Sequence, residues 1–235
     1  MTTVTFSAMH MSDGIVSAPT SVLFGVIAAV AVAVAVRGAR SELDERAVPL
    51  AGLVTAFIFA VQMVNFPILP GVSGHLLGGA LAAILVGPYT GILCIAIVLV
   101  VQSLLFADGG VSALGTNITN IAVIGVAAGY ATAVAVAHLL RRTAALSARQ
   151  LGFVGFVAAL LGTVCAAMGF VLEYAIGGSA QASLAAVTAY LLGTHVLIGL
   201  GEGVITALTV TAVARARPDL VYLLRNQSHR MEVPA

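Results

Sequence analysis

The sequence predicts an all-α fold, a polytopic integral membrane bundle of about seven transmembrane helices with the N-terminus outside and the C-terminus inside. Hydrophobic residues make up 60% of the 235 residues, charged residues only 8%, and the mean hydropathy is +1.12. Soluble globular chains carry about 25% charged residues. In addition, no charged residue occurs between Arg46 and Asp108. A stretch of that length and composition is typical of segments whose solvent is lipid.

Charge-free runs of roughly 20 residues, long enough to cross the hydrocarbon core, predict the individual helices. Turn signals at 65–67, 70–71 and 87–88 divide the longest run into three pieces. The predicted spans lie at about residues 18–36, 48–64, 75–86, 89–105, 117–140, 151–172 and 184–214. The third is short and rich in glycine, so we expect a tilted or partly re-entrant element, which is tolerated only where protein or water covers its backbone.

The ten basic residues, all of them arginine, orient the predicted spans. Cytoplasmic segments of membrane proteins are enriched in basic residues. With the N-terminus outside, every arginine lies in a predicted cytoplasmic segment, at 37–46, 141–150 or 215–235. We therefore expect one integral membrane domain over 1–235, made of an extracytoplasmic arm (1–17), a helical bundle (18–214) and a cytoplasmic tail (215–235).

The charge pattern also excludes several classes of function. The chain contains no lysine, so it cannot hold a phosphate-binding loop that ends in Gly-Lys-Ser or Gly-Lys-Thr. A net charge of +1 without a basic cluster argues against a nucleic-acid partner. On the predicted outer side, Asp13, Asp108 and Glu173 would form a mildly acidic rim that favours cations.

Two histidines lie at the same predicted membrane depth on the outer side. His10 precedes the first span and His75 begins the third, and each has glycine or other small residues nearby that permit close backbone approach. Either histidine alone is typical of a membrane interface, with its ring in water. As a pair they indicate a metal site, because imidazole is a good ligand for Ni, Co, Cu and Zn.

His10 would have a further chelating property if Met9 were the first residue of the mature chain. The Met9 α-amine, the deprotonated amide nitrogen of His10 and its imidazole would then bind one metal through adjacent chelate rings, with three nitrogens nearly in one plane. A second histidine would complete a square of nitrogens. This tetragonal geometry suits Ni(II), Cu(II) and some Co(II) sites, and suits Mg, Ca or tetrahedral Zn poorly.

Three parts of the chain carry motifs in a fixed order. They are MHMSDGIVS at 9–17, NFPILPGVSGHLLGGALAAILVGPYTG at 65–91 followed by QSLLFADGGVSALGTNITN at 102–120, and THVLIGLGEGVIT at 194–206. Together they resemble the CbiM/NikM family, the substrate-capturing membrane components of energy-coupling factor (ECF) transporters for cobalt and nickel. The similarity extends over most of the chain, with the motifs in the family's order.

The resemblance implies a transport subunit without its own ATPase, in the plasma membrane of a prokaryote, with Co2+ or Ni2+ as the transported substrate and no organic cofactor. It implies metal bound by the Met9 amine, the His10 amide and imidazole, and the His75 imidazole. Implied partners are an ECF T component, separate ATP-binding subunits and a small CbiN/NikN-type membrane protein, and the metal would feed cobalamin biosynthesis.

The sequence departs from the family in one respect, because eight residues precede Met9. If they remained, the Met9 nitrogen would be a peptide amide, which is a much poorer donor than an amine. We therefore expect that translation starts at Met9 or that the extension is removed.

Other polar residues leave their roles open. Asp108 fits either a path for incoming metal or a simple Asp-Gly-Gly turn, while Asn117 and Asn120, one helical turn apart, are expected to hydrogen-bond between helices. His195 and Glu202 share one face of the last span, where an ionisable residue is expected to face the bundle interior.

Two other functions remain open from the sequence. A stand-alone, ion-coupled secondary metal transporter would need coupling carboxylates near the membrane midplane, where only Glu202 qualifies. An intramembrane enzyme would use His195 and Glu202 around a metal, but a third ligand with clear spacing is missing from the sequence.

Overall fold

The computed structural model describes residues 10–64, 66–69, 72–140, 146–179 and 182–225. Its elements, in chain order, are α1 (Ala18–Glu42), α2 (Ala47–Gln62), β1 (Phe66–Leu69), β2 (Val72–Gly74), α3 (Gly79–Val86), α4 (Pro88–Leu105), α5 (Leu114–Asn117), a π-helical stretch (Ile118–Gly125), α6 (Val126–Leu140), α7 (Ala148–Gly177), α8 (Leu184–Ala216) and a 3₁₀ turn (Pro218–Leu220). The predicted all-α membrane bundle is confirmed. A short antiparallel hairpin of β1 and β2, which the sequence analysis did not predict, lies between α2 and α3.

Among the described residues, five helical segments are long and apolar enough to cross a membrane, namely α1, α4, the continuous helix from α5 to α6, α7 and α8. Helix α2 is apolar but shorter, with 16 residues, and α3 has only 8, which is about 12 Å of helix. Each of the predicted spans therefore contains a helix. Because α3 is too short to cross the hydrocarbon core alone, the number of spans and their orientation stay predictions.

Helix α3 lies inside the bundle, with every one of its residues buried. Protein therefore covers this segment, which is one of the two environments, protein or water, expected for a short element of this kind. The helix begins at Gly79, and not at His75 as predicted, because Gly78 has a left-handed backbone with φ of +80°. A Cβ at Gly78 would also lie only 2.9 Å from the side chain of Ile58. Glycine therefore separates the extended segment 75–78 from the helix.

Small residues let α6 and α7 approach closely to α3 and to each other. A Cβ at Gly129 of α6 would lie 2.9 Å from Ala80 Cβ, and a Cβ at Gly162 of α7 would lie 3.0 Å from the Gly125 carbonyl oxygen. Close backbone contact of this kind is the usual role of small residues in membrane helices. The three helices thus share a tightly packed interior that limits where α3 can sit.

The predicted acidic rim is wrong for two of its three residues. Glu173 is fully buried in α7, where it accepts a hydrogen bond from Asn120 Nδ2 at 2.6 Å, and Asp108 is buried as well. Only Asp13 of the three is exposed. The bond from Asn120 links the π-helical stretch to α7, as expected of this residue.

After α8 the chain folds back onto the bundle. Val221 and Leu223 are buried in the same core cluster as α3, and Arg225 Nη1 donates to the carbonyl oxygen of Glu42 at 2.7 Å. The described part of the predicted cytoplasmic tail is therefore packed against the ends of the helices, and residues 226–235 lie outside the described residues.

Candidate metal site

Two of the three predicted ligand residues lie side by side. The imidazole rings of His10 and His75 have centroids 4.6 Å apart and an interplanar angle of 53°. Both residues are buried, at 7% and 6% exposure. Met9, the third predicted ligand residue, lies outside the described residues. The fold thus brings together two histidines that are far apart in the sequence.

Asn117 holds the described part of the N-terminal arm, residues 10–17, in place. Its partner in the arm is Met11, the residue that follows His10. The Asn117 side-chain amide accepts a hydrogen bond from the Met11 N–H at 3.0 Å and donates one to the Met11 carbonyl at 3.1 Å, as a neighbouring β-strand would. The Gly110 N–H donates to the same carbonyl at 3.0 Å. The expectation that Asn117 bonds between helices is therefore wrong, because its partner is the backbone of the arm.

The second half of the arm is tied to two loops. Asp13 Oδ1 accepts hydrogen bonds from the Ser112 hydroxyl at 2.5 Å and from the Ser112 N–H at 2.8 Å, and these bonds hold the pKa of Asp13 below its ordinary value. The Ser179 hydroxyl donates to the Gly14 carbonyl, and the Ser179 N–H donates to the Ile15 carbonyl at 3.0 Å. The described part of the arm is therefore an integral part of the fold.

A carboxylate from the loop after α4 contacts the His10 ring. Asp108 Oδ2 lies 3.3 Å from His10 Nδ1, and both side chains are buried. The next residue, Gly109, has φ of +85°, and a Cβ there would approach the His10 Cβ to 2.9 Å. Glycine at this position therefore lets the loop lie against His10 with the carboxylate beside the ring.

His75 has one ring nitrogen directed at its own backbone. Its Nδ1 lies 3.0 Å from the Leu76 carbonyl oxygen, and because a carbonyl only accepts hydrogen bonds, Nδ1 is the donor. The ring's lone pair is then on Nε2. Metal-binding histidines commonly donate their second ring nitrogen in this way, which fixes both the tautomer and the ring orientation.

Residues from two other helices hold the segment that follows His75. Glu202 of α8 accepts hydrogen bonds from the Leu77 and Gly78 N–H groups at 2.9 and 3.0 Å. Gln62 Nε2 of α2 donates to the Leu77 carbonyl at 2.7 Å. The expectation that Glu202 faces the bundle interior is confirmed. The role of Gln62 was not predicted from the sequence. The only feature that could have indicated it is that Gln62 is a single amide residue at the end of an apolar span.

His195 does not join Glu202. Its Nδ1 donates to the Leu191 carbonyl at 2.9 Å within the same helix, and its side chain is partly exposed, whereas Glu202 is 3% exposed. The residue pair on which an intramembrane enzyme would depend is therefore not formed. Over the described ranges of the chain, no group of three or more His, Cys, Asp or Glu side chains is arranged to hold a metal ion.

The fold is that of a multi-pass membrane protein, because it is a helical bundle with several segments long enough to cross a membrane. The buried pair of imidazoles is consistent with a membrane protein that transports metal ions. The chain belongs to the CbiM family, since the family's sequence profile, described as the cobalt uptake substrate-specific transmembrane region, matches residues 10–220. A Haloquadratum walsbyi protein, provisionally named a metal transport protein, is 40% identical to this chain over 215 residues, which is 91% of this chain and 94% of that protein.

Two further similarities bear on function. The fused nickel transport protein NikMN of Rhodobacter capsulatus is 31% identical over 225 residues, which cover 91% of this chain and 64% of that protein. The crystal structure of a transition metal transporter matches with a TM-score of 0.75 and 26% identity over 96% of this chain and 100% of that chain. This chain is therefore a transport protein of the CbiM family, located in the prokaryotic plasma membrane.

Proposed function

We propose that this chain captures Co2+ or Ni2+ beside its N-terminal arm and acts as the substrate-specific subunit of an ECF-type importer. The observation that carries the proposal is the contact between two buried imidazoles, His10 and His75. One metal ion could accept a nitrogen ligand from each ring. Imidazole nitrogen accepts both cobalt and nickel, and binds nickel somewhat more tightly, so these ligands do not by themselves select one metal.

Four nitrogen atoms would surround the metal in this proposal. His10 would supply its deprotonated backbone nitrogen together with Nδ1, because only Nδ1 closes a six-membered chelate ring with that nitrogen. His75 would supply Nε2, in agreement with its hydrogen bond from Nδ1. The α-amine of Met9 would complete the square, provided that Met9 is the first residue of the mature chain. A square of nitrogens is the geometry that Ni(II) and Cu(II) prefer.

Asp108 would balance the charge of this complex. A divalent metal with one deprotonated amide retains one unit of positive charge, and an uncompensated charge in a buried site is costly. Asp108 Oδ2 lies 3.3 Å from His10 Nδ1, next to the place where the metal would bind. We therefore assign Asp108 to the metal site and not merely to a turn.

Transport would depend on separate proteins. The chain contains no lysine for a phosphate-binding loop of the Walker type, so ATP hydrolysis would come from ATP-binding subunits that act through an ECF T component. A small CbiN/NikN-type membrane protein would be a further partner, which the fused composition of the R. capsulatus relative supports. The imported metal would supply cobalamin biosynthesis or a nickel enzyme.

Substitution of the second histidine tests the site. Purified His75→Ala is expected to lose stoichiometric Ni2+ and Co2+ binding, whereas His195→Ala, which alters a histidine outside the site, is expected to retain it. Equilibrium dialysis with metal analysis measures the stoichiometry, and intact mass on the same sample shows whether the chain begins at Met9. Full metal binding by His75→Ala would remove His75 from the site, and full occupancy in a chain beginning at Met1 would remove the Met9 amine.

Vesicle assays distinguish the importer from a stand-alone ion-coupled carrier. We expect vesicles that contain this chain alone to bind metal without accumulating it. Vesicles that also contain the T component and the ATP-binding subunits should take up radioactive Ni2+ or Co2+ when ATP is supplied. Uptake driven by an ion gradient in vesicles with this chain alone would contradict the proposal.

A further inference from the structure

The start of α3 requires hydrogen-bond acceptors from elsewhere in the protein. A helix begins with backbone N–H groups that have no partner inside the helix. Here the surrounding residues, 75–86, are all buried, so water cannot supply the missing acceptors. Buried N–H groups without acceptors are strongly unfavourable.

Glu202 accepts hydrogen bonds, one with each carboxylate oxygen, from the two backbone N–H groups that immediately precede the helix. Oε2 lies 2.9 Å from the Leu77 nitrogen, and Oε1 lies 3.0 Å from the Gly78 nitrogen. The Thr163 hydroxyl of α7 donates to Oε2 at 2.9 Å, which holds the carboxylate in one orientation. The two N–H groups belong to the short extended segment that begins with His75. The position of this segment is therefore set by α7 and α8, together with the bond that Gln62 of α2 donates to the Leu77 carbonyl.

We propose that Glu202 is a positioning residue for the metal site, because it fixes the segment that carries His75 and so keeps that imidazole against His10. The proposal rests on the proposed function, in which His75 is a ligand. A ligand that is attached two residues before a fixed point can move little relative to it. Metal sites require their ligands within about 0.5 Å of the productive geometry, so loss of this support weakens binding without removing a ligand.

The protein contains a second carboxylate of the same construction, which serves as a natural comparison. Glu42 accepts hydrogen bonds from the Tyr89 N–H at 3.2 Å and the Thr90 N–H at 2.7 Å, at the start of α4, and is 2% exposed. The residues beside this second helix start include no candidate ligand. Substitution of Glu42 therefore removes an equivalent set of hydrogen bonds and leaves the metal site untouched.

The expected effect of Glu202→Gln follows from the geometry of the amide. A glutamine presents one acceptor oxygen and one NH2 group, so either the Leu77 or the Gly78 N–H would face another donor. The segment would then have to shift. Loss of a supporting hydrogen bond behind a metal ligand typically weakens metal binding by about 10-fold to 100-fold, and we expect a loss in that range. Thr163→Val, which removes one donor and keeps the carboxylate, should produce a smaller loss in the same direction.

The experiment compares Glu202→Gln, Thr163→Val and Glu42→Gln in the purified full-length chain. Ni2+ affinity is measured by competition with a chelator, the visible absorption spectrum of bound Ni2+ reports the ligand geometry, and thermal unfolding without metal reports stability. We expect weaker binding and a shifted Ni2+ spectrum for Glu202→Gln and Thr163→Val. Glu42→Gln should keep the affinity and spectrum of the unaltered protein even if its unfolding temperature falls.

Unaltered affinity and spectrum in Glu202→Gln would overturn the inference, as would an equal loss in Glu42→Gln. If Glu202→Gln does not fold, Thr163→Val decides the question by the same two measurements. His75→Ala, measured in parallel, distinguishes failure of the proposed metal site from failure of the positioning role. If His75→Ala binds normally, the proposed site fails; if it loses binding while Glu202→Gln and Thr163→Val do not, only the positioning role fails.

Discussion

Replacement of Asn117 by alanine should weaken metal binding without removing any ligand. Asn117 makes two hydrogen bonds to the backbone of Met11, at 3.0 and 3.1 Å, in a buried environment. A hydrogen bond of this kind contributes about 0.5–1.5 kcal/mol, so the pair contributes about 1–3 kcal/mol to docking of the arm. The Met11 carbonyl keeps its bond from Gly110, but the Met11 N–H loses its partner.

The loss in docking energy should be visible as a loss in affinity. If only the docked arm presents His10 to the metal, the apparent dissociation constant rises as the docked fraction falls. A change of 1–3 kcal/mol corresponds to a loss of affinity of at most about 5-fold to 150-fold, reached when the arm of the variant is mostly undocked. Competition titration with Ni2+ measures this loss, and Asn120→Ala is the matched control because its bond runs to Glu173 and not to the arm.

Two results would refute this reasoning. Asn117→Ala with the affinity of the unaltered protein would show that the bonds to Met11 do not limit metal binding. An equal loss in Asn120→Ala would show that general loosening of the π-helical stretch, and not release of the arm, weakens the site.

Three other expectations follow from the same site. Gly109→Ala should weaken Ni2+ binding in the same titration, because its Cβ would lie 2.9 Å from the His10 Cβ at a left-handed backbone position, whereas Gly193→Ala, with open space around it, should not. Because the Asp13 pKa is lowered, its bonds to Ser112 should persist at neutral pH and weaken only as the pH falls through that lowered pKa. Protease cleavage of the arm that already begins at pH 6 would contradict this. A C-terminal fusion to a fluorescent protein that matures only in the cytoplasm should fluoresce, and a dark, intact fusion would reverse the predicted orientation.

The helices could be predicted because each depends mainly on the composition of one stretch of sequence. Helix α1 begins at Ala18, as expected, but continues to Glu42, beyond the predicted end at residue 36. Hydropathy marks the part of a helix that lies in hydrocarbon, and polar residues can extend the same helix into water. The β1–β2 hairpin and the π-helical stretch were not predicted, because both depend on backbone pairing that single-residue patterns do not encode.

The histidine pair could be predicted because membrane depth and side follow from the order of the spans. His10 and His75 were expected on one side, and their rings do meet. The partners of Asn117 and Glu202 could not be predicted, since a buried side chain bonds to whichever backbone group the packing brings within reach. Glu173 shows the opposite error, because a residue near the end of a span was taken to face water and is instead fully buried against Asn120.

The acceptors at the start of α3 also restrict the order in which the chain can be assembled during synthesis. When α3 leaves the ribosome, Thr163 and Glu202 have not yet been made, so the Leu77 and Gly78 N–H groups have no acceptor from the carboxylate that will later bind them. Hydrocarbon offers no substitute. These N–H groups therefore need other acceptors, from water or from another protein, until α8 has inserted. The histidine that this segment carries is among the early residues to be synthesised, yet it reaches its final position only when the last helix arrives.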